Sequence, residues 1–311
     1  MLNKDIIRRP FFTVFTPTYN RAYILPKLYE SLRVQTNKDF EWLIIDDGST
    51  DNTAKLVEMW KNEENGFSIK YYYKENGGKP RAINFGIQFA QGKFFFMIDS
   101  DDYILPDTIN KMFNWSKEIL LLNDFIGVGA AKGYSDGVYL KGEPPLVNSK
   151  GYVDATNLQR EDFGLDTDMC EAYKTDIFKT FPMAEWEGEK FAPEQIALNN
   201  IALKGYKIRW HADILCICDY LEDGLTKGSQ KLEAQNPMGY AMMYNHKLLY
   251  PNLSWKEKYY AACQHVVLSI IGRNFNYILK SNKPVYTVLS LPIGIILSLR
   301  RRKQFGRLHF D

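Results

Sequence analysis

The run Phe94-Phe95-Phe96-Met97-Ile98 passes directly into Asp99-Ser100-Asp101-Asp102. An uninterrupted apolar run of that length reads as a buried strand, too short for an ordinary helix. A strand buried on both faces belongs in a parallel sheet covered by helices. When it ends in clustered acids, it sets charge at its carboxyl end, where open α/β sheets hold their ligands. Asp and Ser oxygens at this spacing suit a hard cation such as Mg2+ or Mn2+ that keeps waters and shares phosphate oxygens with a substrate. The same acids also read as a turn that caps the next helix. Their neighbours have to separate the two readings.

Residues 11–16 form a β-rich run between Pro10 and Pro17, followed by the turn Pro17-Thr18-Tyr19-Asn20. A helix follows, with Leu25, Leu28 and Leu32 on one face and Pro26 near its start. The second strand, 40–45, ends at Asp46-Asp47-Gly48-Ser49-Thr50-Asp51. Thr50 or Asp51 can cap the helix that carries Ala54, Val57 and Trp60. A third strand covers 68–73, then comes the turn Asn76-Gly77-Gly78, then a helix with Ala82, Phe85, Gly86 and Phe89 on one stripe. Strands alternating with helices predict a right-handed, mainly parallel α/β sheet. No G-x-G-x-x-G follows the first strand and no Walker lysine loop is present, so a nucleotide would be held through side chains and a metal.

Composition narrows the class. With 311 residues, 45% apolar, the chain can build one large domain with an appendage or two modest domains. Its 39 basic and 37 acidic residues leave a charge of +2, which gives no support to nucleic-acid binding. Cys170, Cys216, Cys218 and Cys263 contain no C-x-x-C pair, and the four histidines are scattered. These cysteines read as buried, reduced thiols of a cytosolic protein. The first ten residues carry charges and no apolar core, so no secretory signal is expected.

Thr16-Pro17-Thr18-Tyr19-Asn20, Ile45-Asp46-Asp47-Gly48-Ser49-Thr50-Asp51, Asn76-Gly77-Gly78-Lys79, Ala90-x-Gly92 and Asp99-Ser100-Asp101-Asp102 together resemble the family 2 glycosyltransferases with the GT-A fold. The match runs in order over about the first 110 residues and extends less specifically to about Gly228. In that second stretch, Glu187-Gly188-Glu189-Lys190-Phe191-x-x-Glu194 and Tyr220-Leu221-Glu222-Asp223-Gly224-Leu225-Thr226 look like the acceptor half of polysaccharide-type members. The resemblance implies a mainly parallel twisted sheet flanked by helices in a catalytic domain over 1–230, with donor (1–110) and acceptor (111–230) halves. A helical extension over 231–311 would follow.

The resemblance also implies roles. Pro17 and Tyr19 would flank the donor's base, with Thr16 and Thr18 in the same motif, and Asp47 would accept from the imide N–H. Lys79 would reach the diphosphate, Asp101 would bind the metal, Asp99 the ribose or the metal, and Ser100 lies between them. Glu194 stands where the family places its catalytic base. Two departures stand out: Ala82-Ile83-Asn84 lacks the family's arginine, for which Arg81 is the available replacement, and Glu194 is followed by Gln195 where two acids are usual.

The chemistry fits these residue types. Breaking the bond to a diphosphate loads charge on the leaving group, which a divalent cation and a lysine offset. The incoming hydroxyl must lose a proton to a carboxylate on the opposite face of the sugar, which inverts the anomeric centre. Glu194 follows Pro193 at the start of a helix and shares a face with Ala197, Leu198 and Ile201. It also reads as an ordinary first-turn glutamate on the helix dipole. Asp166 and Asp168 are the competing carboxylates, with Asp168 the fallback base. Lys79 alternatively reads as a solvated loop lysine and Tyr19 as a surface turn residue. The polar stretch 220–231 suits a lid over bound donor, or a plain connection.

In the last third, Ser254-Trp255-Lys256-Glu257 is a capping box that predicts a helix toward Lys280, ended by Pro284. Residues 285–299 carry no charge and precede Arg300-Arg301-Arg302-Lys303. As a helix that run would measure about 22 Å against a hydrocarbon core of about 30 Å, and Pro292 and Gly294 interrupt it. An interfacial segment over 284–303 with a basic flank is the expectation. Packing on the protein's own core or on a second subunit is the alternative.

With the resemblance, the sequence implies an inverting, Mn2+- or Mg2+-dependent glycosyltransferase at the inner face of the cytoplasmic membrane. It would move a sugar from a nucleotide-sugar donor, UDP-linked by the Asp47 match, to a glycan or lipid-linked saccharide acceptor. A nucleotidyltransferase and a non-catalytic glycan- or nucleotide-binding relative are the alternatives. A homo-oligomer is compatible with either.

Overall fold

The computed structural model describes residues 9–218 and 229–307. Of these, one compact unit takes 9–76, 82–182 and 204–218, and a second takes 77–81, 183–203 and 229–307.

The chain begins with the predicted alternation: β1 (Phe12–Thr18), α1 (Leu25–Arg33), β2 (Phe40–Asp46), α2 (Thr53–Lys61), β3 (Ser68–Tyr73), α3 (Lys79–Gly86) and β4 (Phe94–Met97), all in the first unit but for the first three residues of α3. The first unit continues through β5 (Asp102–Ile104), α4 (Thr108–Ile119), β6 (Phe125–Gly133), β7 (Tyr152–Ala155), a 3-10 turn over Asn157–Phe163, β8 (Met169–Lys174), α5 (Thr175–Phe178) and β9 (Lys207–Cys218). The sheet order is β3-β2-β1-β4-β8-β6-β9-β5, with β7 on β9. Strands β3, β2, β1 and β4 are mutually parallel. Beyond them β8 runs antiparallel to β4 and β6, so the sheet is mixed where the simple alternation stops.

Its core is aromatic. Tyr29, Trp42 and Trp60 stack, with Tyr29 and Trp60 ring centres 4.3 Å apart, and Phe12, Phe94 and Phe96 are buried beside them. Gly92 has no room for a Cβ, which would meet the Thr13 nitrogen at 2.2 Å, so the entry to β4 must be glycine.

Of the readings open to the acids, Asp102 does not take the cap of the next helix. It opens β5, which pairs antiparallel with β9, and α4 starts later, at Thr108. Asp51 does accept from the Thr53 nitrogen at 3.0 Å, but from the position before the N-cap Asn52.

The second unit is helical: α6 (Gln195–Leu203), α7 (Ser229–Gln235), α8 (Pro237–Lys247), α9 (Trp255–Ile271), α10 (Phe275–Ile278) and α11 (Pro284–Phe305). The Ser254 capping box forms as predicted, with the Glu257 nitrogen donating to the Ser254 hydroxyl at 3.3 Å. The helix does not reach Lys280. It stops at Gly272, and Arg273 adopts a φ of 56° before α10. Pro284 opens α11, where its missing N–H is no loss, rather than merely ending the preceding helix. Helix α11 spans 22 residues with Pro292 inside. Among the described residues no helix is long and apolar enough to cross a membrane. The lid expected over 220–231 lies almost wholly outside the described residues.

Candidate active site

The carboxyl ends of β1, β2 and β4 lie side by side because these strands are adjacent and parallel. Thr18 pairs in register with Asp46, and the Asp47 nitrogen donates to the Thr18 carbonyl at 2.8 Å. The following loops are laced together. Asn20, at φ 52°, accepts from the Thr50 nitrogen at 2.8 Å, and its own nitrogen donates to Ser49 Oγ at 2.8 Å.

Within this frame the predicted donor residues divide. Asp46 is structural, accepting from Tyr71 Oη at 2.6 Å and from the Ser49 nitrogen at 2.7 Å. Asp47 instead faces Lys74, whose Nζ lies 2.5 Å away. Thr16 is buried and its hydroxyl accepts from Trp42 Nε1 at 3.0 Å. The hydroxyl of Thr18 is buried with no hydrogen-bond partner among the described residues. Pro17 lies in β1 between them, and Tyr19 stands exposed just past the strand.

In the acidic loop the Asp102 nitrogen donates to the Asp99 carbonyl at 3.1 Å, and Ser100 is buried. Burial, then the nearby charges of Asp99 and Asp102, raises the pKa of Asp101 above its ordinary value. Asp102 is spoken for: it is buried, Lys132 Nζ lies 2.6 Å away and Cys216 Sγ donates to it at 3.7 Å. Burial opposes the Lys132 charge, but Asp102, Cys216 and Asp99 together outweigh it and lift the lysine pKa well above the usual value. Cys216 and Cys170 are held as thiols by burial, Cys170 with its pKa pushed up to about 12.

Among the described residues, no group of three or more His, Cys, Asp and Glu side chains is placed to hold a metal ion. Asp99 and Asp101 nevertheless fit a divalent cation of the kind held by one or two carboxylates, its remaining positions filled by substrate phosphate and water. Burial first, and then the repulsion between the acids, raises the Asp101 pKa, and such a cation would relieve the repulsion.

The second unit holds Lys79, Arg81 and Glu194. Lys79 Nζ lies 3.0 Å from Glu194 Oε1, both about a quarter exposed. Glu194 directly precedes α6, and its carbonyl accepts from the Leu198 nitrogen at 3.1 Å, while Ala197, Leu198 and Ile201 are buried as predicted. Gly78 has φ 92°, and a Cβ there would stand 1.6 Å from the Lys190 carbonyl oxygen. Glycine at 78 thus permits a close approach of the protein's own chain. Arg81 donates to the carbonyls of Gly77, Trp186 and Glu189 and pairs with Glu185 at 3.2 Å, so the structure gives it a local bracing role. Asp168, in the first unit, is exposed in the loop before β8, and Asp166 pairs with Lys141.

Sequence reasoning missed Lys74 and Lys132. A signal existed for Lys132: a lone cation inside the apolar run 125–133 cannot be buried without a carboxylate partner. Nothing local marked Lys74, the residue after β3.

The family model described as "Glycosyl transferase family 2" matches residues 13–180. An uncharacterized glycosyltransferase of Rickettsia felis is 37% identical over 123 residues, 40% of this chain and 19% of that protein. The chondroitin synthase of Pasteurella multocida is 36% identical over 107 residues, 34% of this chain and 11% of that protein. The matched stretch is thus a small part of either relative. Among solved structures, S. aureus TarS 1-349 in complex with UDP-GlcNAc superposes with TM-score 0.60 at 21% identity, over 91% of this chain and 80% of that one. The mannosyltransferase PcManGT of Pyrobaculum calidifontis, in complex with GDP-Man and Mn2+, gives TM-score 0.56 at 17% identity, over 96% and 84%. The fold is therefore of the GT-A kind, with a helical C-terminal region.

Proposed function

From the premise that this chain belongs to glycosyl transferase family 2 and is a glycosyltransferase, we propose that it transfers a sugar, with inversion, from a nucleoside-diphosphate donor to a glycan or lipid-linked saccharide acceptor. The product belongs to a cell-surface polysaccharide, assembled at the inner face of the cytoplasmic membrane. One observation carries the donor half of this reading. Three adjacent parallel strands deliver Thr18, Asp47 and the Asp99–Asp101 pair to the same edge of the sheet.

Each group then has a task. Tyr19 and Pro17 flank the base, and Asp47 accepts from an imide N–H while the ammonium of Lys74 beside it donates to a base carbonyl. That donor–acceptor pair favours a keto–imide edge, as in uracil, over an amino edge. The buried Thr18 hydroxyl, with no protein partner among the described residues, is a polar group left for the donor. Asp101, with Asp99, would hold a Mn2+ or Mg2+ ion, which when bound offsets charge on the departing diphosphate. Lys79 contributes to the same end, and Glu194 takes the proton of the acceptor hydroxyl. The complexes of TarS with UDP-GlcNAc and of PcManGT with GDP-Man and Mn2+ support a nucleotide-sugar donor and a divalent ion.

A thermal-shift screen of nucleoside diphosphates and nucleotide sugars, with and without Mn2+, tests the proposal. A Mn2+-dependent rise in Tm, largest with uridine, is expected. No rise with any diphosphate would overturn it.

A further inference from the structure

Helix α11 faces the wrong way for a helix of a water-soluble surface. Toward α9 it buries Thr287, Ser290, Gly294 and Ser298. The hydroxyls of the three polar residues are satisfied on their own helix, Ser290 Oγ donating to the Thr287 carbonyl at 2.9 Å and Ser298 Oγ to the Ile295 carbonyl at 2.7 Å. Gly294 sets the approach of the helices, since a Cβ there would stand 2.6 Å from Val266 Cγ1. The large aliphatic side chains point outward instead. Val285, Val288, Leu289, Ile293, Ile296 and Leu299 are each between 47% and 71% exposed. At 100° per residue they fall on one broad stripe, opposite the small residues.

Charge identifies what covers this stripe. Between Gly272 and Phe310 the chain carries eight Lys and Arg residues and no Asp or Glu. Taken from 39 basic and 37 acidic residues in all, that leaves 31 against 37, so the rest of the chain is acidic by six. Arg301 is engaged with Gln264 and Glu233, and Arg302 with the Ile270 carbonyl. Lys283 at one end of the stripe and Arg300 and Lys303 at the other are exposed. A second copy of the same face would oppose like charges across an apolar contact. An anionic lipid surface complements both features at once.

We propose that α11 lies in the plane of an anionic phospholipid leaflet, its aliphatic stripe sunk among the acyl chains and its terminal cations on the headgroups. The inference deepens the placement at a membrane face given above, and its test does not involve sugar transfer, so the two can fail separately.

The experiment is flotation of the full chain with vesicles of phosphatidylcholine alone or mixed with phosphatidylglycerol. Binding is expected only to the mixed vesicles and is expected to weaken with salt. Leu289→Gln with Ile296→Gln, at exposed positions where folding is not at stake, should reduce partitioning at least about tenfold, as loss of two buried aliphatic groups requires. Lys283→Gln, Arg300→Gln and Lys303→Gln together should reduce it about a hundredfold. Nucleotide-dependent thermal shifts should be unchanged in both variants. Failure of the wild type to float, equal binding to neutral vesicles, or a dimer in light scattering that the Leu289→Gln, Ile296→Gln variant dissolves would each overturn the proposal, the last by assigning the stripe to a second copy.

Discussion

Lys132 Nζ and Asp102 Oδ2 lie 2.6 Å apart, the lysine 8% and the aspartate 2% exposed. This buried ion pair sits directly behind the acidic loop. It neutralises one of the three carboxylates and sets Asp102 apart from Asp99 and Asp101. Lys132→Met strands the Asp102 charge and should cost about 3–5 kcal/mol in urea unfolding. Lys132→Met with Asp102→Asn should recover much of that loss, because no buried charge remains. A double variant no more stable than Lys132→Met would remove the ion-pair account.

Asp101→Ala should abolish the Mn2+-dependent part of nucleoside-diphosphate binding while leaving the fold intact. Titration calorimetry with and without Mn2+ reads this directly. Unchanged affinity would sink the metal assignment.

Glu194→Gln keeps the shape of the side chain but removes its basicity. Donor binding should stay within a few-fold of normal, and turnover should fall about 10²–10⁴-fold. Lys79→Met should instead weaken donor binding. Persistent turnover in Glu194→Gln would move the base elsewhere, with Asp168 next in line.

Gly78 and Gly188 both have positive φ, 92° and 80°. Gly188→Ala meets nothing within 4 Å and should cost only the backbone term, about 1–2 kcal/mol. Gly78→Ala drives a methyl into the Lys190 carbonyl at 1.6 Å and should cost more than about 4 kcal/mol. Comparable chemical-denaturation midpoints for the two variants would contradict the close approach.

Acid stability should report on His211. Burial lowers its pKa from 6.5 to about 4, and its ring stacks on Trp115 with centroids 3.6 Å apart. Between those two values the unfolded chain binds a proton that the folded chain does not. Stability from this site is therefore full above pH 6.5 and falls as pH drops toward 4. The loss amounts to about 3 kcal/mol. In His211→Phe the decline in urea midpoint over that range should be shallower; an unchanged slope would assign it to other groups.

Much of the first 110 residues was legible along the chain. Strands β1, β2, β3 and β4 and their intervening helices follow from short-range periodicity, and so do the acids and glycines at the strand ends. Helix α11 was legible in composition but not in orientation, because an uncharged run does not say which side it buries. The break at Gly272 was missed because the apolar pattern continues through it until Arg273 turns the chain to positive φ.

The sequence by itself determined the order of elements, the position of each candidate residue at a strand or helix end, and a charge distribution that isolates the C-terminal segment. These are local properties, encoded in periods of two and about 3.6 residues and in turn chemistry. Only the tertiary structure decided the pairings. It gave Asp102 to Lys132, 30 positions away, Asp47 to Lys74, 27 positions away, and Arg81 to carbonyls more than a hundred residues on. Strand register and close packing choose such partners, and neither is written in the spacing of any one segment. That choice set Asp102 apart from the other acids after β4, pairing it with Lys132 inside the sheet.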